Sequence, residues 1–543
     1  TLRLKEQKLE EGKNLIRFFM NEKNVALITS KENSKEKLEV LKKYEEFKKY
    51  CINDVVVERS IKKVLEKVKI PEIENKLWQL DQEINDRGVL VDKKLLENAC
   101  IYDSEFKEAL IKKLKDITKV ENPKSNNQIK LYLKGLGLEV SSLNKESVEK
   151  LLKSEEVLNN PKFEEIKEVL NLRSKLNKTS TKKYEAMKRC VCSDGRIRGL
   201  FQFYGANRTG RWAGRLVQVQ NLPQNKLSNL DEVRSIISNN YKTKLPSRDE
   251  YDKYNDISNI LSQLIRTTFI PKKNHRFIIA DFSAIEARII AYLSNEKWRI
   301  DVFNTHGKIY EASASKMFNV DINKITKESE LRQKGKIAEL ALGYQGGVGA
   351  LVSMGAYNMN LREEDLVEIV KAFRSSNINI VNLWKKVEKA FIKAVKDKTV
   401  VNIDKNISFI YEGNILFIKL PSGRRLSYIR PRIDYNNSFN KYVITYEGVD
   451  SVSKKQTRLT TYGGKLVENI VQAIARDILG YAMLNLKAKG FDIVMHVHDE
   501  IVVEVENKVS SVDEICEIMC EENPYLKDLT LKADGFKSMY YKK

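Results

Sequence analysis

The sequence predicts an α/β (α+β) fold in which strands deliver acidic residues and helices cover them, on three observations. Phe277-Ile278-Ile279-Ala280 is a buried-strand run, and Ile285 to Leu293 just after it has helical spacing. Phe491 to Val497 and Ile501 to Val505 are β-rich runs on either side of Asp499, the pattern of a hairpin with the acid at its tip. Much of the first 200 residues reads as Lys-rich helix.

Taken in order, residues 1 to about 70 are rich in Lys and Glu and helical in pattern, without repeats or low-complexity tracts. An amphipathic segment from Leu77 to Asp92 runs into Gly88-Val89-Leu90-Val91-Asp92. Lys-rich helices continue from there, with Asn122-Pro123-Lys124-Ser125 as a helix-start signal, and strands begin near Ile197. Past the strand at 277, Asp281 closes the apolar run, and Glu286 and Arg288 fall in the first turns of the next helix. Arg332, Lys336, Leu340 and Tyr344 recur every four residues, drifting only ~40° per step, so all four are expected on one broad helix face. Gly343, Gly346, Gly347 and Gly349 end that helix in a turn that reads as a hinge, because no Gly-Lys pair has the following Ser or Thr of a phosphate-binding loop. Ile415 to Ile429 reads as a hairpin about Pro421-Ser422-Gly423-Arg424.

An acid at the end of an apolar run is costly to bury unless a cation or a reaction needs it. If the strands carrying them neighbour each other in one sheet, Asp281 and Asp499 converge and can hold hard cations. Mg²⁺ takes oxygen ligands and is commonly held by one or two carboxylates plus substrate phosphates. Two such ions, about 3.5 to 4 Å apart, stabilise both oxygens of an in-line phosphoryl displacement. Each acid taken singly also fits a turn or cap residue. Likewise the cations of the 332–344 stripe could hold a triphosphate while the Tyr ring covers a base, or simply form a solvated face.

Asp281 to Arg288, Arg332 to Tyr344 and His498-Asp499-Glu500, in this order, resemble the three signature motifs of the family A DNA polymerases, in their phage-type form. Thr209-Gly210-Arg211, Gln220-Asn221-Leu222-Pro223 and Val471-Gln472-Ala473, on a helix before the last hairpin, resemble further family motifs. The resemblance implies a right-hand polymerase with an antiparallel palm sheet and mostly helical thumb and fingers. Its parts would be a 3′-5′ exonuclease remnant (1–75), thumb (76–200), palm (201–300 and 396–543) and fingers (301–395). It implies two Mg²⁺ ions on Asp281 and Asp499, and Arg332 and Lys336 gripping the triphosphate, with Lys336 also the proton donor to pyrophosphate. It makes Glu286 the gate against a ribose 2′-hydroxyl and sets Tyr344 beside the nascent base pair. Arg211 and Gln472 become contacts on the minor-groove side of primer-template DNA, and His498 and Glu500 supports of the primer terminus and metal site.

The chain departs from the family at Leu340, where Phe or Tyr is usual, and at Tyr310, where many members place a triphosphate-contacting His. Trp212-Ala213-Gly214-Arg215 after Arg211 fits the phage branch. The alternatives are a single-subunit RNA polymerase, which would need a small residue at 286, and a catalytically dead DNA-binding scaffold, which would have lost a metal acid or a triphosphate cation.

Composition agrees. Lys plus Arg number 96 against 74 acids, a net charge of +22, which implies a polyanionic partner. No apolar run is long enough to span a bilayer and no signal-peptide pattern opens the chain, so a cytoplasmic monomer without a membrane partner is expected. Six cysteines and four histidines form no zinc pattern; the thiols are expected reduced and mostly in cores, and His275, His306 and His496 structural. Tyr50-Cys51-Ile52-Asn53-Asp54 resembles the last active-site motif of the exonuclease domain. Asp54 is the first Asp in the sequence, and the sequence starts at Thr1, so a fragment, processed product or split-gene piece is expected, with a separate N-terminal exonuclease portion as possible partner.

Overall fold

A computed structural model describes residues 8–66, 69–178, 180–239, 257–359, 361–437, 440–450, 453–508 and 511–543. The chain divides into two compact units, Thr1–Asn75 and Lys76–Lys543. In the first, helices Gly12–Phe19, Glu22–Thr29 and Lys35–Leu65 are capped where sequence allows: Asn21 and Ser34 each accept a backbone N–H of the following turn. Phe19 meets Tyr44 edge-on and lies tilted against Phe47, which stacks on Tyr50. Tyr50 and Asp54 lie one turn apart on the long helix, and a hydrogen bond to Asp54 raises the Tyr50 pKa.

The second unit is built around a four-stranded antiparallel sheet. Its central strand β1 (His275–Phe282) leads into helix α1 (Ile285–Ser294); helix α2 (Glu330–Leu342) and the long helix α3 (Gly463–Ala488) follow; and strands β2 (Asp492–Val497), β3 (Glu500–Glu506) and β4 (Ala533–Ser538) complete the order β2-β3-β1-β4. Ile278, Ile279, Ala280, Val502 and Val503 are fully enclosed, because α3 packs on one part of the sheet and the Val512–Met519 helix on another. A sheet covered in this way needs continuous apolar runs in its central strands, which these are. The Ser125 side chain caps the helix Asn126–Gly135, where the helix-start signal stands, and Asp92 caps the helix Lys93–Thr118.

Two features differ from expectation. The strand near Ile197 (Arg196–Ile197) does not join the β1–β4 sheet; it pairs with Val89–Val91, which pairs in turn with Phe269–Ile270. The hairpin Ile415–Lys419 with Arg425–Asn436 forms as read, but it belongs to a six-stranded antiparallel meander spanning 400–461. Alternating burial along these strands, as in Arg425–Asn436, leaves one face open and dilutes the hydrophobic signal of each strand.

All six cysteines are free thiols, but only Cys100 is buried; Cys51 is exposed and the other four are half-covered, so the expectation of core cysteines fails except at 100. Cys51 sits on a helix whose buried positions are Val40 and Val57, off its covered face. His496 is enclosed, its ring stacked 4.2 Å from that of Phe201; His275 is half-covered and His306 is exposed, its Nδ1 accepting the Lys308 N–H in a turn. Among the described residues no helix is long and apolar enough to cross a membrane.

Candidate active site

Antiparallel register brings the two acids together. β3 pairs with β1 so that Glu500 lies opposite Asp281, and the Phe282 N–H donates to the Asp499 carbonyl at 3.2 Å. Asp499 thus occupies the two-residue turn between β2 and β3, where His498 takes φ of 57°. At the other strand end Ala284 takes φ of 52°, turning the chain sharply from β1 into α1 and setting Glu286 in its first turn.

These residues open onto one cleft of about 380 Å³, lined among others by Asp281, Glu286, Tyr310, Leu340, Tyr344 and Asp499. Asp281 is the more open acid, with 40% of its side chain exposed, against 23% for Asp499 and 2% for Glu500. Glu500 is therefore enclosed behind Asp281, where the Tyr541 hydroxyl donates to its Oε1 at 2.8 Å. Burial, reinforced by Glu286 and Asp281, raises the Asp499 pKa to about 6 against the pull of Arg211 and Lys543. Burial likewise raises that of Glu500.

Two cations divide the acids between them. Arg211 Nη2 lies 2.7 Å from Glu286 Oε1 and 3.8 Å from Asp499 Oδ1; Lys543 Nζ lies 3.0 Å from Asp281 Oδ2 and 3.4 Å from Glu500 Oε2. Burial opposes the Lys543 charge, but Glu500 and Asp281 outweigh it and raise its pKa. The Thr209-Gly210-Arg211 turn that aims Arg211 is fixed from behind. Gly210 has φ of 78°, its carbonyl accepts from Arg476 Nε at 3.1 Å, and the Thr209 carbonyl accepts from Arg424 Nη1 at 2.8 Å.

The 332–344 stripe is only partly gathered. Helix α2 ends at Leu342, so Tyr344 lies in the turn beyond it and not on the same helical face; it still reaches the cleft, its hydroxyl donating to Glu286 Oε2 at 2.7 Å. That turn is held by α3: a Cβ on Gly464 would stand 2.4 Å from the Tyr344 carbonyl oxygen, and the Gly464 N–H donates to the Gln345 side chain at 2.9 Å. Leu340 is 51% exposed and lines the cleft. Arg332 pairs with Glu311 at 2.6 Å and lies over the Tyr310 ring, outside the cleft lining, while Lys336 is exposed on α2. Gln472 Nε2 donates to Glu468 at 3.4 Å, and His498 Nε2 lies 3.1 Å from the Gln220 carbonyl. A second cavity of about 420 Å³ adjoins, lined by Arg211, Gln220, Asn221, His498 and Asp499.

Lys543, Tyr541 and the buried pair Arg299–Glu339 escaped the sequence reading. Arg299 and Glu339 also line the cleft, and Arg299 donates to Asn377 at 2.7 Å. Glu339 had one signal, an acid beside Leu340 on the stripe helix; Lys543 had none, being one Lys among many in a basic chain.

Over 98% of this chain and 79% of the other, the fold matches that of the POL domain of Pol1 from M. smegmatis, solved in complex with DNA primer-template and dNTP, at TM-score 0.60 and 17% identity. The fold is that of a right-hand polymerase, with an antiparallel sheet and mostly helical surroundings. The sequence model of DNA polymerase family A matches residues 98–537, and the chain belongs to that family: it is a DNA polymerase, a nucleotidyltransferase. A DNA polymerase of Bacillus phage SP02 is 50% identical over 546 residues, covering all of this chain and 82% of that protein. DNA polymerase I of Caldicellulosiruptor bescii is 25% identical over 252 residues, 45% of this chain and 24% of that protein.

Proposed function

We propose that the chain adds deoxynucleotides to a primer 3′-hydroxyl by a two-metal mechanism with Mg²⁺ on Asp281 and Asp499, in phage-type DNA replication. The observation that carries this is the β1–β3 register, which sets both carboxylates at the mouth of one cleft with Glu286, Leu340 and Tyr344 on its walls. The donor set fits a hard cation: two carboxylates line the cleft, while the His498 imidazole beside them is engaged by the Gln220 carbonyl. Among the described residues no group of three metal-ligating side chains occurs, so phosphate oxygens and water would complete the shell. Bound there, the ions would activate the 3′-oxygen and stabilise the leaving pyrophosphate.

The chain's own residues do the rest. Glu286, fixed by Arg211 and the Tyr344 hydroxyl, presents a rigid carboxylate where a 2′-hydroxyl would come. Exposed Lys336 and the partly covered Arg332 on α2 would meet the triphosphate, with the Tyr310 ring beneath Arg332, and Lys336 would give its proton to pyrophosphate. Arg332 must first exchange its Glu311 partner for phosphate. Arg211 and His498 line the adjoining cavity, the side expected to receive primer-template DNA; Gln472 is read as a further contact to it, and the net charge of +22 suits that polyanion. Primer-template and dNTP are the ligands of the mycobacterial domain that shares the fold, and the same pair is inferred here. The first unit is read as the tail of an exonuclease domain on Tyr50 and Asp54.

Asp281→Ala and Asp499→Ala test the assignment. Each is expected to abolish primer extension while DNA affinity at fixed salt stays within about threefold, because Lys and Arg contacts to phosphate supply that affinity. Near-normal extension by either variant would defeat the two-metal reading.

A further inference from the structure

The Lys543 side chain lies against Asp281, read above as a metal ligand, and Glu500. Its ammonium is within 3.0 Å of Asp281 and 3.4 Å of Glu500, and only 28% of the side chain is exposed. This is a built position. The Lys543 N–H donates to Asn225 Oδ1 at 3.0 Å, and its carbonyl accepts the Asn225 N–H at 3.2 Å. Asn225 is tied in turn to the Gln263 carbonyl. Two residues earlier, the Tyr541 N–H donates to the Phe269 carbonyl at 2.9 Å, and its hydroxyl bridges Glu500 and Arg266. Arg266 also donates to the carbonyls of Leu222 and Pro223, in the Gln220 to Pro223 motif.

We propose that Lys543 is a resident counter-cation for Asp281 and Glu500, competing with the divalent ion for the site and setting the metal concentration at which it fills. The inference rests on the reading of Asp281 as a metal ligand. Asp281, Asp499, Glu286 and Glu500 crowd one strand end, and among the described residues Arg211 pairs with Glu286 and Asp499. Without Lys543, Glu500 would keep the Tyr541 hydroxyl with Arg266 behind it, while Asp281, directly opposite on β1, would lose its ion-pair partner. A divalent ion on Asp281 supplies the same compensation and repels the ammonium, so the two occupy the position in turn. The pinned backbone and four-carbon stem let the ammonium leave and return without moving the strand.

The test is Mn²⁺ binding to the full chain without DNA or nucleotide, followed by the electron paramagnetic resonance of the free ion. Lys543→Met and Lys543→Gln should each bind Mn²⁺ roughly fivefold or more tightly than wild type, since removing a competitor releases its coupling to the site. Lys543→Arg, which keeps the charge, should stay close to wild type. Asp281→Asn should lose most of the binding. The Mg²⁺ midpoint of primer extension should fall in Lys543→Met and Lys543→Gln by the same factor. If Asp281→Asn binds Mn²⁺ as wild type does, the metal assignment itself fails. If Asp281→Asn is weakened but both neutral Lys543 variants bind Mn²⁺ no more tightly than wild type, the assignment stands and the role of Lys543 is overturned.

Discussion

Replacing Glu286 by Ala separates the chemistry of the cleft from its scaffolding. The carboxylate is held at both oxygens, by Arg211 at 2.7 Å and by the Tyr344 hydroxyl at 2.7 Å, so it cannot swing aside to admit a larger sugar. Forcing a hydroxyl against such a fixed group resembles overpacking, about 1 to 3 kcal/mol, which corresponds to roughly 5- to 150-fold discrimination against ribonucleotides. The same substitution removes two hydrogen bonds. Burial around the Tyr344 hydroxyl raises its pKa, so leaving it without an acceptor should cost about 1 to 3 kcal/mol of stability. Arg211 should turn more fully to Asp499. Single-nucleotide incorporation of matched ribo- and deoxynucleotides on one template would measure the ratio, with Tyr344→Phe as control because it breaks one hydrogen bond and leaves the carboxylate. A ribo-to-deoxy ratio in Glu286→Ala equal to that of wild type, in a folded and active protein, would refute the gate; so would an equal rise in Tyr344→Phe, which would assign selectivity to the tyrosine.

Two further outcomes are expected. Leu340, half exposed on the cleft wall, offers no donor to a sugar, so wild type should discriminate against dideoxynucleotides, and Leu340→Tyr should relax that ratio about tenfold by supplying a hydroxyl; a ratio unmoved in an active variant would take Leu340 out of the nucleotide site. His496 is enclosed against Phe201 and Trp212, and burial, with Arg476 nearby, lowers its pKa from 6.5 to about 3. Its folded value is depressed, so the unfolded chain takes up the proton first: stability is full above pH 6.5 and is lost as pH falls toward 3. Between pH 7.5 and 5 this costs wild type about 2 kcal/mol, and His496→Phe should not show that loss in urea unfolding; identical pH dependence in both proteins would contradict the linkage.

The sequence by itself determined the local pieces and their chemistry. Phe277 to Ala280 and the runs flanking Asp499 are apolar and β-rich enough to demand burial in a sheet, and burial at their ends makes Asp281 and Asp499 costly unless a cation or reaction needs them. The helix after Asp281, the cap at Ser125 and the hairpin about Pro421 to Arg424 were legible for the same reason, since each is decided by neighbours within a few residues. Tertiary structure alone decided the register that puts Glu500 opposite Asp281, and the partners each charge takes: Glu311 for Arg332, Glu286 and Asp499 for Arg211, Asp281 and Glu500 for Lys543. It also decided that Tyr344 leaves the helix, because Gly464 brings α3 against its backbone, and that the 415–429 hairpin extends into six strands. Periodicity reports which face of an element is buried and nothing of what lies opposite, so ion pairs closed across tens to hundreds of residues leave no mark in the sequence around either partner.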